Sequence, residues 1–416
     1  MRAWIVIALR NIWKNRRRSA YTILAIAFGY AGVNMFGGFK DYLYSTIKNA
    51  FIHVNAMGHL NIHKRGFTSE GRREPTEFLI SAEELRQIKA LVGARDDVVV
   101  VTPQLQIQGL VSNGQFSTVF VALGRVPSEV EEIQRRVGGW IAKRQYYTGE
   151  GLSDDHPENV ALSAGLADVL GVKAGDDVIA TAPTVAGQIN ALDGHYVGYF
   201  DSTLDVLDDK LMEVSLQFSQ LLYDTDSVDR IVVLFNDDGD LEAKRDWVQQ
   251  QLDAAGLDME VWTWVERAPF FAATERMNNV IFLFMFLVVL VIMVMSVVNT
   301  IGMSILERTR EIGTMRALGL KRRGIIELFA IESFILGLLG SAVGFLLFLV
   351  AWSVVKGFDP HWIPPTYSKP IPLEVHFVTS NLLWSIVFLS VLSLVAAIAP
   401  ARKAANLEVV DALGHI

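Results

Sequence analysis

Residues 280–324 read VIFLFMFLVVLVIMVMSVVNTIGMSILERTREIGTMRALGLKRRG. Val280 to Ile301 hold no charged side chain, whereas the eighteen residues from Glu307 to Gly324 hold eight, six of them basic. About 20 mostly apolar residues, each rising about 1.5 Å in a helix, cross a hydrocarbon core. The run therefore predicts a membrane span that ends in a short cationic segment. Three more stretches meet the same test without a charge: Ala20 to Phe39, Phe334 to Val355 and Leu382 to Ala399.

Orientation follows from the Lys/Arg bias of the short flanks. Arg2, Arg10, Lys14, Arg16, Arg17 and Arg18 precede the first span, and Arg308, Arg310, Arg316, Lys321, Arg322 and Arg323 lie between the second and third. Arg402 and Lys403 follow the fourth, while the loop between the third and fourth has only Lys356 and Lys369. Both termini and the cationic segment are expected in the cytoplasm. The region between the first two spans is then outside, as is the loop HWIPPTYSKPIP. The N-terminal apolar run is too long for a signal-peptide core and lacks a small-residue cleavage site, so it reads as a retained anchor. Ahead of it, Trp4, Ile5, Ala8, Leu9 and Ile12 share one helical arc opposite Arg10 and Lys14, the pattern of an interfacial helix.

Composition agrees. Of the 416 residues 51% are hydrophobic and 20% charged, and the mean hydropathy is +0.32, high for a soluble domain. The absence of cysteine excludes disulfides, Cys-based zinc sites and a thiol nucleophile. Between Lys40 and Met277 there are 21 Lys+Arg and 37 Asp+Glu, against 16 and 8 in the remainder. An acidic exposed domain argues against nucleic acid as a partner.

The excursion alternates helix and strand signals and is long enough to fold on its own scale. GHLNIH alternates like a strand, and SAEELRQIKALVG opens with a capping box, Ser81 with Glu84. DDVVVVTPQLQIQGLV is strand-rich and ends at the turn SNG. DRIVVLF, DLEAKRDWVQQQLDAAG and MEVWTWV repeat the order at the far end. These β-α-β units predict an α/β domain with an inserted lobe over about residues 113–227.

The cationic segment is more than a topology signal. Glu307 with Arg310, and Arg308 with Glu311, are i,i+3 pairs that favour a helix. Ile312, Met315 and Gly319 fall on one stripe of it, and Gly319 suits its C-terminal cap. ERTREIGTMRALG followed by IIELFAIESFILGLLGSAVG resembles the FtsX-like permease domain of type VII ABC transporters, as does the closing run PARKAANLEVVDAL. GHLNIHKRGF, LSAGLADVLGVKAGDDV and FDSTLDVL are similar to MacB-like periplasmic core domains, and within the family the chain looks closest to the LolC/LolE lipoprotein-release permeases. One departure is that Val409 and Val410 follow Glu408 where the family usually has proline.

The resemblance implies a membrane protein of four transmembrane α-helices plus a large extracytoplasmic α/β domain of the MacB-like periplasmic core type. The expected divisions are an interfacial helix (1–18), a first span (19–40), the periplasmic domain (41–277), a second span (278–303), a coupling helix (304–324), a third span (325–355), a periplasmic loop (356–378), a fourth span (379–400) and a cytoplasmic tail (401–416), with the FtsX-like domain over about 278–409. It implies that Glu307, Arg308, Arg310, Glu311, Ile312, Met315, Arg316 and Gly319 contact a cytoplasmic ABC ATPase. No GxxxxGK[ST] loop occurs here, so ATP and Mg are expected on a separate ATPase subunit and this chain is expected to be non-catalytic, binding no cofactor itself. A second permease subunit, identical or homologous, is implied, with a periplasmic carrier or an outer-membrane partner as further candidates. Such a machine, set in the inner-membrane bilayer, would work by mechanotransmission without passing substrate across it. MacB-like efflux of peptides or toxins, FtsX-like signalling to a cell-wall hydrolase, and a receptor whose cytoplasmic helix binds something else are the alternatives.

The four apolar runs contain no ionisable residue of the kind that lines ion pathways. Glu327 and Glu332, near the cytoplasmic start of the third span, are expected to pair with Arg322, Arg323 or a neighbouring chain. Gly337, Gly340, Ser341 and Gly344 give small-residue spacings suited to close helix packing, as do Gly29, Gly32, Gly37 and Gly38, within the chain or against a partner. His59, Asn61 and His63 share a strand face that reads as solvated, and with His53 they lack the carboxylate or cysteine that would complete a metal site. DDHPE, FNDDGD and YDTDSVD match no calcium loop, and no GxSxG elbow is present. Trp262 and Trp264 are expected on one side of a strand, packed in a core or interface.

Overall fold

The computed structural model describes residues 2–71, 74, 77–138, 146–200, 207–362 and 370–406, with nothing said of the side chains of residues 2 and 3. The expectations on most of FDSTLDVL, on the Pro-rich loop centre and on Val409 and Val410 fall outside them. The chain divides into a helical unit (1–44, 274–361 and 372–416) and a sheet unit (45–273 and 362–371).

The helical unit begins with α1 (Arg2–Lys14) and α2 (Arg16–Asn49), and continues with α9 (Pro269–Glu307), α10 (Thr309–Ala317), α11 (Arg322–Phe358) and α12 (Thr379–Ala405), the intervening helices belonging to the sheet unit. Of these α2, α9, α11 and α12 are long and apolar enough to cross a membrane. Each outruns its predicted span because the flanking polar residues are themselves good helix formers, which composition-based limits leave out. Their outward faces stay apolar, as lipid contact requires: Leu283 and Phe284 on α9 and Trp384 on α12 are exposed.

Small residues let the bundle close. A methyl group on Gly340 would lie 2.7 Å from Ile26 Cβ, and one on Gly344 2.7 Å from Tyr30 Cβ, so α11 touches α2 almost backbone to backbone. Gly337 does the same against Ser390 and Ser393 of α12, and Ser341 is fully buried. Gly29 faces Val289 of α9, whereas among the described residues nothing would lie within 4 Å of a methyl group on Gly32. These close contacts are made inside one chain. Tyr30 completes the α2–α12 seam by donating to the Leu382 carbonyl at 3.0 Å.

In the sheet unit the strands are β1 (Leu60–Lys64), β2 (Val98–Ser112), β3 (Ser117–Arg125), β4 (Tyr147–Gly149), β5 (Asn159–Ser163), β6 (Asp177–Pro183), β7 (Ile189–Phe200), β8 (Leu211–Ser215), β9 (Arg230–Phe235) and β10 (Met259–Thr263). They form one mixed sheet of order β10-β1-β9-β2-β3-β8-β5-β7-β4, with β6 joined to β2 and β7. Its helices are α3 (Ala82–Gly93), α4 (Pro127–Gln134), α5 (Ala164–Leu170), α6 (Leu216–Tyr223), α7 (Leu241–Ala254) and the short α8 (Trp264–Arg267). The Ser81–Glu84 capping box is formed at α3.

The inserted lobe is joined more closely than the turn signal at SNG suggests. Fifteen-residue β2 pairs with β9 over Val98–Gln104 and with β3 over Gln104–Ser112, so one strand belongs to both parts. What separates them is the side-chain cores, one running from Leu105 to Leu222 and the other from Leu60 to Val261. β2 is buried without alternation from Thr102 to Leu105, where its pairing passes from β9 to β3, so the strand runs on from one core into the other.

Two expectations are corrected here. His59, Asn61 and His63 are not on a solvated face; all are buried, because β1 lies between β10 and β9 and both its faces are covered. His63 Nδ1 lies 3.0 Å from the Asp229 carbonyl, and His59 Nδ1 accepts from the Phe235 N–H at 3.1 Å. Burial pushes His59 down to about 4 and His63 down to about 3, so both stay neutral near pH 7. Trp262 and Trp264 do not share a side. Thr263 ends the strand and, with Glu266, caps α8, which turns Trp264 into the core and leaves Trp262 half-buried.

Candidate functional site

Two places in the helical unit combine polar chemistry with access, one at each end. At the first, α9 stops at Glu307 and Arg308 takes φ −113° and ψ 14°, outside helical geometry, before α10 begins. Thr309 holds the break by donating its hydroxyl to the Ile305 carbonyl at 3.0 Å. α10 ends in a Schellman arrangement: Leu320 N–H donates to Met315 O at 3.1 Å and Gly319 N–H to Arg316 O at 3.0 Å. Gly319 takes φ +96°, which its lack of a Cβ permits.

The eight predicted contact residues separate by side. Ile312 is buried in the hydrophobic cluster of the bundle. Arg308 is also buried; its Nε donates to Glu311 Oε2 at 2.9 Å, and its Nη1 lies 3.5 Å from Glu332 Oε2. Glu307 pairs with Arg18 at 2.7 Å rather than with Arg310, because the N-terminal end of α2 lies alongside and offers a cation. Glu311 also meets Lys14 at 3.3 Å, and its carboxyl is held below the usual range by Arg308 and Lys14. Met315 and Arg316 are half-buried, while Arg310 and Gly319 are exposed. The expected pairing of Glu332 with Arg322 or Arg323 is replaced by Arg308 and by Asn11, whose amide donates at 3.3 Å. Helical spacing sends Glu332 inward while Arg322 and Arg323 face out.

The surface that remains is cationic. Arg310, Lys321, Arg322 and Arg323 are exposed, with Leu318 at 84% exposure projecting from the turn among them. The sequence signals gave no contact role to Leu318, Asn11, Lys14 or Arg18, the last two counting only toward topology and the interfacial helix. The last three are spaced i, i+3 and i+7 along α1 and the start of α2, a signal available in principle.

The second place is a cavity of about 640 Å³ at the opposite end of the bundle, between α2, α9 and α12. Phe282, Phe286, Trp384 and Phe388 make its apolar wall, and Lys40, Asp41, Glu275 and Asn381 its polar part. Asn34 holds the α2–α12 side, donating to Tyr30 O at 2.8 Å and accepting from Ser385 Oγ at 3.3 Å. Among the described residues no group of His, Asp or Glu could hold a metal ion.

Comparison with known proteins places this architecture. The family model for the MacB-like periplasmic core domain matches residues 19–251, and that for the FtsX-like permease C-terminal domain matches residues 283–409. A macrolide export ATP-binding/permease protein MacB from Escherichia coli O157:H7 is 32% identical over 144 residues, 34% of this chain and 20% of that protein. Its counterpart from Yersinia pestis bv. Antiqua is 31% identical over the same shares. The chain thus spans about a fifth of the length of the curated relatives it matches. Among solved structures, the periplasmic region of MacB from Actinobacillus actinomycetemcomitans aligns with TM-score 0.36 and 14% identity, covering 51% of this chain and 92% of that one. The extracellular domain of the noncanonic ABC-type transporter YknZ aligns with TM-score 0.35 and 14% identity, covering 50% and 100%. Fold and matches together define a membrane permease with a periplasmic α/β domain. The chain belongs to the FtsX- and MacB-like, type VII, ABC transporter permeases.

Proposed function

We propose that this chain is the non-catalytic membrane subunit of a complex in which a separate cytoplasmic ATPase binds ATP and Mg, and that α10 is the coupling segment the ATPase grips. The observation that carries this reading is the cationic surface around Leu318, held out at the end of the bundle while Arg308 and Ile312 turn inward. Both termini are then cytoplasmic and the sheet unit periplasmic. A second permease subunit completes the complex, and the work is mechanotransmission to the periplasmic side. Charge reversal at both Arg310 and Arg316 is expected to weaken co-purification of the ATPase about tenfold or more, since interfacial charges of opposite sign guide partner recognition and like charges repel. Undiminished recovery of the ATPase with that variant would overturn the assignment.

For the cargo, we favour a lipid-anchored protein released from the outer leaflet. The cavity between α2, α9 and α12 supports it: aromatic walls suit an acyl chain, and the charged residues suit the polar group where the chain is attached. Photo-crosslinking from Phe286 or Trp384 should capture a lipoprotein. Efflux is the second reading, favoured by the MacB relatives, whose names specify macrolide export. Capture of a macrolide or peptide, together with co-purification of an outer-membrane duct, would decide for efflux.

A further inference from the structure

We infer that Asn11, Arg308 and Glu332 form a pin that sets the direction in which α10 leaves α9, so that Glu332 and Asn11 are positioning residues for the segment that meets the ATPase. The consequence for coupling rests on the function proposed above; the geometry does not.

Local sequence explains the break at Arg308 only in part. Leu306, Glu307 and Arg308 are good helix formers, neither proline nor glycine interrupts the run, and the Thr309 bond to the Ile305 carbonyl bends a helix without ending it, so a tertiary cause acts as well. That cause is visible around the Arg308 side chain, which is only 8% exposed and faces a Glu332 side chain that is 5% exposed. Its guanidinium also lies 5.9 Å from the Phe329 ring on α11. Asn11 donates to the same Glu332 oxygen, Oε2, that Arg308 approaches. One carboxylate on α11 therefore gathers a cation from the α9–α10 joint and an amide from α1. A continuous helix through residue 308 would carry the guanidinium elsewhere and leave Glu332 buried without its cation, an expensive arrangement.

The outer ties follow the same plan. Lys14 reaches Glu311 and Arg18 reaches Glu307, one on each side of Arg308. Both pairs are exposed and contribute little by themselves, but they place the N-terminal elements on both flanks of the joint. Glu307, Arg308 and Glu311 are thus engaged inside the chain, while Arg310, Lys321, Arg322 and Arg323 are presented outward.

The chain contains no cysteine, so spin labels can be placed cleanly at Leu318→Cys, on the exposed turn after α10, and Leu346→Cys, exposed on α11. Pulsed electron spin resonance on the full chain in lipid nanodiscs then reads the label-to-label distance distribution. The labelled parent should give a single narrow distribution. Glu332→Gln, which leaves Arg308 buried without a counter-charge, should broaden it about twofold, and Arg308→Gln/Glu332→Gln, which removes both charges, should return it close to the parent width. An unchanged Glu332→Gln distribution, or a double variant as broad as the single, overturns the proposal. Should Glu332→Gln fail to fold, Asn11→Ala is measured in its place, and an unchanged distribution there overturns it equally. No ATPase is present in this experiment. Loss of the ATPase assignment would leave its outcome untouched, and failure of the pin would leave ATPase recruitment through Arg310 and Arg316 untouched.

Discussion

Each unit buries an arginine against a glutamate, and the two pairs are built differently. In the sheet unit Arg125 on β3 donates to Glu213 on β8 at 2.5 Å and reaches the Asn55 carbonyl at 3.3 Å. Tyr146 and Tyr147 donate to the same carboxylate at 2.6 and 2.5 Å. Both phenols are pushed well above their ordinary range, first by burial and then by the Glu213 charge, and so remain donors. In the helical unit Arg308 is within ion-pair reach of Glu332 but is not aligned to hydrogen-bond it, and Asn11 is the carboxylate's other partner. The first pair joins neighbouring strands of one sheet, where the ladder already fixes spacing. The second joins three separate helices at a break. The sheet-unit carboxylate is held by three donors on a rigid ladder, whereas the one at the joint is held by a single cation and a single amide, so that losing either partner there is felt directly.

That contrast can be broken by measurement, beginning with the cluster. Glu213→Ala strips Arg125, Tyr146 and Tyr147 of their shared acceptor and should cost about 3–5 kcal/mol of sheet-unit stability, read as a lower denaturant midpoint. A loss below about 1 kcal/mol would mean that the cluster is no more than a surface-like pair.

The next largest effect is pH-dependent. His63 binds a proton less readily folded, down to about 3, than unfolded near its ordinary value of about 6.5, so the unfolded state holds more protons throughout that window. Stability should therefore rise with pH between them, and should fall by about 2 kcal/mol for this histidine on acidification from pH 6.5 to 5. His63→Gln should flatten that slope in thermal melts; an unaltered slope would show that the buried β1 face does not control it.

The smallest effect sharpens the comparison from the other side. Lys14→Ala removes an exposed tie to Glu311 and should change stability by only about 0.2–1 kcal/mol, a change that disappears at high salt. A larger, salt-independent loss would place that lysine in the buried network rather than on its rim.

The spans, the excursion and its strand and helix order are legible in the sequence because each depends on local periodicity. Apolar run length governs membrane crossing, and alternation or capping governs strands and helices. The cationic segment is legible as a helix with a glycine ending for the same reason. The side each charge faces is not. Arg308 and Arg310 differ by two residues and look equivalent in the motif, yet one is buried and the other exposed. β1 misleads in a similar way: the polar residues of LNIHK indicate solvent, while groups packed on its faces, such as Phe67 against His63, bury them.

The amino-acid order alone determined the four stretches long and apolar enough to cross a membrane, and that a basic helix follows the second of them, since these are sums over neighbouring residues. Which charges are spent inside the molecule and which are offered outward was decided only by tertiary structure. The partners of Arg308, Glu332 and Asn11 come from segments far apart in the chain. Burial of a charge depends on what lies across from it, which no local pattern encodes.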